Sequence, residues 1–156
     1  MKIIPVKVLK KNLSVPCFVD DEDYEILNKY KWRQDKWGHA RSSPRKNSLS
    51  NACLMHRVIM KARKGQEIDH ANGNKLDNRK NNLRFCSKSD NQRNKGLQSN
   101  NTSGYKGVTK NPNGKWRAQI KVKSKRIYLG TFPTKELAHE VYKKAAIKYH
   151  GEFARW

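Results

Sequence analysis

The sequence predicts an α+β chain assembled from small modules, and three observations carry that prediction. Only 35% of its 156 residues are apolar, too few for one extensive core. A strand–loop–strand–helix pattern runs from Gln66 to Asn94, and from Gly104 onward alternating strands lead into one amphipathic helix. Between them "NKGLQSNNTSG" is polar and rich in Gly, Ser and Asn, the composition of a linker. The expected organisation is an N-terminal β-rich extension over 1–53, a second module over 54–96, a linker over 97–103 and a C-terminal domain over 104–156.

Taken in order, "VKVLKKNLSVPCFVD" reads as short extended segments with Pro16 breaking the run. In "DDEDYEILNKYKW" acids precede the periodic apolar set Tyr24, Leu27 and Tyr30, which suits a short helix whose N-terminus favours negative charge. The stretch from Lys31 to Met60 predicts two strands around a polar loop at Ser42 to Asn51, either scaffold or a basic hairpin laid on nucleic acid. Then come a strand "QEIDH", a loop "ANGNKLDNRKN", a strand "NLRFCS" and a helix "KSDNQRN" with Ser87 as N-cap.

In "KWRAQIKVK" the alternation puts Trp116, Ala118, Ile120 and Val122 on one face and Arg117, Gln119, Lys121 and Lys123 on the other. "SKRIYLGTF" repeats it, with Ile127 and Leu129 inward and Arg126 and Tyr128 outward, and "NPNG" supplies a hairpin turn. The last helix opens at the N-cap Thr134, carries Leu137, Ala138, Val141, Tyr142, Ala145, Ala146 and Tyr149 as its stripe, and closes at Gly151. Three antiparallel strands packed on one helix leave a positive face exposed, Lys106 included.

Thirty-five Lys and Arg against thirteen Asp and Glu give a formal charge of +22, which calls for a polyanionic partner. From Asn91 to Lys135 there are eleven Lys or Arg and no acid. No apolar run approaches the roughly 20 residues of a membrane span, and no signal peptide opens the chain, so nucleic acid is the expected partner, a membrane is not, and the location is cytoplasmic. Cys17, Cys53 and Cys86 are scattered without a C-x-x-C pair, which predicts free thiols and no structural zinc.

An adjacent acid and imidazole, Asp69 and His70, stand before the Asn-rich glycine loop. Phosphodiester hydrolysis needs an activated water and neutralisation of the charge that builds on the phosphate. Mg²⁺ takes oxygen ligands and keeps several waters, so one or two protein oxygens suffice. Asp69 can be one ligand, and His70 a base that is largely neutral at physiological pH. Asn91, one turn into the following helix, offers a second, amide oxygen, and Asn82 can tie the loop to its strand. The same Asp, Asn and Gly also compose an ordinary turn.

The span "LMHRVIMKARKGQEIDHANGNKLDNRKNNLRFCSKSDNQRN" resembles the HNH endonucleases, specifically the phage and intron-encoded homing type, through Asp69-His70, "ANGN", "NNLR" and Asn91, which lies 22 residues after Asp69. The resemblance implies a ββα-metal module with His70 as general base, Asp69 and Asn91 holding a divalent ion (Mg²⁺, or Mn²⁺), and Asn82 stabilising the loop. From Gly104 to about Ala154 the chain resembles an AP2 DNA-binding domain through "YKGV", "GKWRAQI", "YLGTF" and the Ala-rich helix. That implies double-stranded DNA contacts at Lys106, Thr109, Asn111, Asn113, Gln119, Lys121, Arg126 and Tyr128, beside the basic Arg117 and Lys123 of the same face. The Arg and Trp of the plant proteins are absent at Thr109, Asn111, Asn113 and Tyr128, so their base preference does not transfer.

The expected function is a metal-dependent DNA endonuclease, nicking or cleaving both strands as monomer or homodimer inside the bacterial host of a phage. The competing expectations are a non-catalytic DNA-binding regulator built on the AP2-like domain and a structural RNA-binding protein.

Overall fold

The first strand, β1 (Lys2–Val8), buries Ile4 and Val6 and turns Ile3, Pro5 and Lys7 outward, the two-residue period of a half-buried strand. It pairs antiparallel with β2 (Leu13–Val19), which turns Cys17 and Val19 to the same core. A short parallel contact, Val6 opposite Trp32, brings β3 (Trp32–Gln34) to the other side of β1, and β4 (Ala40–Ser42) completes a sheet of order β2-β1-β3-β4. This is a computed structural model that describes residues 1–9, 11–42 and 53–156. The polar loop expected at Ser42 to Asn51 lies, beyond Ser42, outside the described residues. The chain divides into two compact units, Met1–Ser87 and Lys88–Trp156, and the architecture is mixed α+β.

Pro16 does not break the run. It sits inside β2, an edge strand, directly opposite Pro5, and at an edge a missing backbone donor costs little. Helix α1 (Asp21–Leu27) has Asp21, Glu22 and Asp23 in its first turn, where negative charge meets the exposed N–H groups, and drives Leu27 into the core. The second expected strand around "LMHRVIM" is instead helix α2 (Met55–Ile59). Strand alternation would put Arg57 on the same face as Met55 and Ile59. The helix buries those two side chains with His56 and lets Arg57 donate to the carbonyl oxygens of Gln66 and Arg63, at 2.6 and 2.7 Å.

Strands β5 (Glu67–His70) and β6 (Leu83–Cys86) form an antiparallel pair, and Ile68 and Leu83 join the core of Ile4, Val6, Cys17, Val19, Leu27 and Trp32. The N-terminal strands and the Asp-His strand therefore share one hydrophobic interior. Of the cysteines, Cys17 is buried and Cys53 and Cys86 are half-buried.

In the second unit helix α3 (Lys88–Arg93) precedes a three-stranded antiparallel sheet, β7 (Val108–Lys110), β8 (Trp116–Val122) and β9 (Lys125–Phe132). Helix α4 (Lys135–His150) packs on the sheet, with Thr134 accepting from the Leu137 amide and Gly151 closing the end in a left-handed conformation. Ala118 and Ile120 are buried as the alternation requires, against Ala138, Tyr142, Ala145 and Ala146. Two stripe assignments are corrected: Leu137 and Tyr149 are exposed, and His150 is buried in their place. The small sheet covers only a narrow face of α4, so apolar residues at the margins of the stripe stay outside. Among the described residues no helix is long and apolar enough to cross a membrane.

Gly107 is the tightest joint of this unit. Its φ is +70°, and an added Cβ would meet the Tyr142 ring at 2.2 Å and the Gln119 carbonyl oxygen at 2.6 Å. Gly107→Ala should therefore lower unfolding free energy in urea by at least about 2 kcal/mol, through overpacking and left-handed strain together. Gly104→Ala, with φ +78° but open space around it, should lose only about 1 kcal/mol. Equal losses would show that the Tyr142 contact is not tight.

Candidate functional site

Register determines the first feature of the site. On the β5–β6 pair Asp69 stands directly opposite Arg84, and His70 opposite Leu83. The Arg84 guanidinium donates through Nε and Nη2 to Asp69 Oδ2, at 3.1 and 2.8 Å. Asp69 and His70 are each only 5% exposed, so the carboxylate is a desolvated charge that depends on its partner.

The loop from Ala71 to Asn82 is held by its own side chains. Asn82 Oδ1 accepts from the Asn72 amide at 2.9 Å, while Asn82 Nδ2 donates to the Asp77 carbonyl oxygen at 2.7 Å. One side chain thus spans the loop, the position at which Asn82 is expected to act. Asp77 accepts from Asn72 Nδ2 and from two nitrogens of Arg79, and these bonds hold its carboxyl below the usual carboxylate range. The loop also docks on the edge of β2, with the Phe18 amide donating to the Leu76 carbonyl and the Asn78 amide donating to that of Phe18, both at 2.8 Å.

Asn78 is fully buried. Its Nδ2 donates to Cys17 Sγ at 3.0 Å and to the Lys75 carbonyl oxygen at 3.4 Å, and its Oδ1 lies 3.3 Å from His70 Nε2. A carbonyl oxygen only accepts, so the contact with Lys75 fixes which end of the amide is Nδ2. Oδ1 then accepts from His70 Nε2–H, placing the imidazole proton on Nε2 and the lone pair on Nδ1. Burial pushes the Cys17 thiol up to about 11, so the sulfur stays protonated, and it donates in turn to Met55 Sδ at 3.5 Å.

Three imidazoles meet here. The rings of His39, His56 and His70 lie 5.1 to 5.9 Å apart, centroid to centroid. Burial pushes all three below the ordinary imidazole range, His56 to about 3; His39 also opposes charge on both other rings, and His70 opposes it on His56. The cluster is one that charges only with difficulty. Among the described residues no three His, Cys, Asp or Glu side chains converge to hold a metal ion. The donors expected for a metal are fewer and different in kind, one carboxylate and one amide oxygen, which fits a hard cation that keeps waters and takes few protein oxygens.

The structure brings Asp69, His70 and Asn82 together in the first unit, and places Asn91 in the second, on α3. Asn78, Arg84 and His39 are the residues that sequence reasoning passed over as site components. The "LDNRKNNL" string holds Asn78 four residues before Asn82, so amide density was the available signal. Nothing in the spacing marks His39.

On the β7–β9 sheet Arg117, Lys121, Arg126 and Tyr128 are exposed, as are Thr109 and Asn113, while Gln119 and Asn111 are half-buried. Gln119 pairs with Tyr128 and Lys121 with Arg126 across β8 and β9. Lys123 is in the turn rather than on the strand face, and it and Ser124 have positive φ, 45° and 69°, the two-residue hairpin geometry that usually selects Asn-Gly. Lys106 is half-buried, and its ammonium donates to the Arg93 and Lys95 carbonyl oxygens.

Comparison with known proteins assigns a family to each of the two parts of the chain. Residues 53–93 match the HNH endonuclease family model and residues 103–152 the AP2 domain model. An uncharacterized HNH endonuclease of Acanthamoeba polyphaga mimivirus is 30% identical over 157 aligned positions, covering 97% of this chain and 80% of the relative. An AP2/ERF and B3 domain-containing protein of rice (Oryza sativa subsp. japonica) is 49% identical over 53 residues, 34% of this chain but 14% of its own length. An ethylene-responsive transcription factor of Arabidopsis thaliana is 52% identical over 50 residues, 30% of this chain and 27% of its own. The chain belongs to the HNH endonuclease family and carries a C-terminal AP2 domain.

Acid should unfold the first unit early. Unfolded imidazoles take protons near pH 6.5, whereas buried His56 and His39 resist until lower pH. The unfolded state therefore binds more protons below about pH 6.5, so the stabilisation is complete above that pH and is lost as pH falls toward 3. Urea unfolding between pH 8 and pH 4 should lose up to about 1.4 kcal/mol per pH unit for each such histidine, and His56→Leu should flatten the limb. An unchanged midpoint from pH 7 to pH 5 would contradict the burial of uncharged rings.

Proposed function

We propose that the chain is a metal-dependent DNA endonuclease in which a ββα-metal module cuts and the AP2 domain positions it. The observation that carries this reading is the buried His70, kept uncharged and held in one tautomer beside a buried carboxylate. His70 Nδ1 takes the proton of a water whose oxygen attacks the phosphorus, and Asn78 keeps the opposite nitrogen from competing for it. By the family resemblance Asp69 and Asn91 are the residues that would hold a divalent ion, most simply Mg²⁺, with Mn²⁺ as substitute. When bound, that ion neutralises charge on the phosphate and on the departing oxygen. Arg84 keeps the Asp69 carboxylate in place until then, and Asn82 keeps the loop closed.

The outer sheet face supplies the DNA contacts, through Lys121, Arg126, Tyr128, Arg117 and Gln119, with Thr109, Asn111 and Asn113 toward one end and Lys123 and Lys106 toward the other. Lys121 and Arg126 face each other directly. Like charges so placed destabilise a sheet, and a phosphate backbone lying over them removes that cost.

Incubation with supercoiled plasmid and Mg²⁺ or Mn²⁺ should yield relaxed or linear DNA, and chelation should abolish it. His70→Ala should slow cleavage roughly 10²- to 10⁴-fold while leaving DNA affinity nearly unchanged. Binding without metal-dependent cutting, across both metals, would favour the regulator and sink the nuclease reading.

A further inference from the structure

The second unit contains a concavity of about 370 Å³ that lies to one side of α3, at the β8–β9 turn and the last turns of α4. Lys88 and Arg93 reach it from α3, Lys121 and Lys123 from the hairpin, Lys106 from the segment before β7 and His150 from α4, and no Asp or Glu lines it. Arg93 is balanced by Asp90 on its own helix. Lys88, Lys121 and Lys123 have no ion pair with any described residue.

Lys106 is the informative member. Its ammonium is half-buried against the neutral carbonyl oxygens of Arg93 and Lys95, with Arg155 as its charged neighbour. Burial pushes it down to about 8, and the Arg155 charge adds to the effect. A desolvated cation with no anion beside it is an expensive arrangement, and the missing component is a counter-ion. His150 closes the same concavity: it is 9% exposed and donates from Nε2 to the Lys121 carbonyl oxygen at 3.1 Å, which ties the ring to the strand that carries Lys121.

We propose that this concavity is a phosphate site, occupied by one backbone phosphodiester of bound DNA beyond the part of the duplex read by the sheet. Two observations favour backbone over free phosphate. The concavity is lined by the exposed side chains Lys88, Lys121 and Lys123, which a polymer backbone can reach, and it shares Lys121 with the exposed face, where that residue pairs with Arg126. The same helix that lends Lys88 and Arg93 carries Asn91, so a phosphate seated here registers the DNA against α3. The inference rests on the DNA-binding part of the proposed function and is independent of whether the chain cuts.

The test uses the full chain and the double variant Lys88→Ala/Lys123→Ala, both positions being exposed. Duplex binding is measured between 50 and 300 mM salt. Neutralising one phosphate contributes about 0.9 to the slope of log K against log salt, so the variant should lose about one unit of slope, and Lys88→Arg/Lys123→Arg should restore it. In parallel, inorganic phosphate should shift the His150 ring signals of the wild type and not those of the alanine variant. An unchanged slope overturns the proposal, even if cleavage is intact. So does phosphate binding with an unchanged slope, which would mark a free-phosphate site. A slope that falls in a protein that never cuts leaves this site standing and removes the nuclease reading instead.

Discussion

The buried amide of Asn78 is the contact on which the geometry of the candidate site depends. Three groups from separate parts of the chain converge on it: Cys17 of β2, the Lys75 carbonyl of the loop, and His70 of β5. A buried amide left without partners costs about 1–3 kcal/mol, so the three contacts are enforced together. If β2 shifts, the amide loses Cys17 and keeps only the Lys75 carbonyl to hold it against His70. The N-terminal sheet is in this sense part of the site, although no catalytic atom lies in it.

The same packing sets the electrostatics. His39 comes from the turn between β3 and β4, and His56 from α2. Packed against His70, both help to bury it and His39 also opposes its charging, burial being the larger of the two influences. Asp69, one residue away, is held by a cation across the strand pair. Adjacent residues on a strand point to opposite faces, so the acid and the imidazole are immersed in different surroundings, one charged and paired, the other uncharged and enclosed. That separation suits the two different roles proposed for them.

Periodicity made much of this legible. The alternation in "KWRAQIKVK" places Ala118 and Ile120 inside, and Thr134 and Gly151 mark both ends of α4, because burial on one face and capping are local effects. "QEIDH" and "NLRFCS" were equally readable as strands. What escaped was long-range. Pro16 looked like a breaker because its partner Pro5 is joined to it only through a hairpin. "LMHRVIM" looked like a strand because β-branched residues sit among its apolar positions, and only the carbonyl groups that receive Arg57 show why a helix is preferred. Asp69 and His70 could be picked out by chemistry, yet Asn78 was one amide among many in its loop. Its significance comes from Cys17, 61 residues away, and no local pattern reports such a contact.

The claim that Asn78 holds His70 in a single uncharged tautomer is open to direct observation by ¹⁵N NMR of histidine-labelled protein near neutral pH. The account predicts that His70 shows a protonated Nε2 and an unprotonated Nδ1, and that Asn78→Ala abolishes this preference while the fold persists. A His70 that is protonated on Nδ1, or whose tautomer is unchanged in Asn78→Ala, would contradict it.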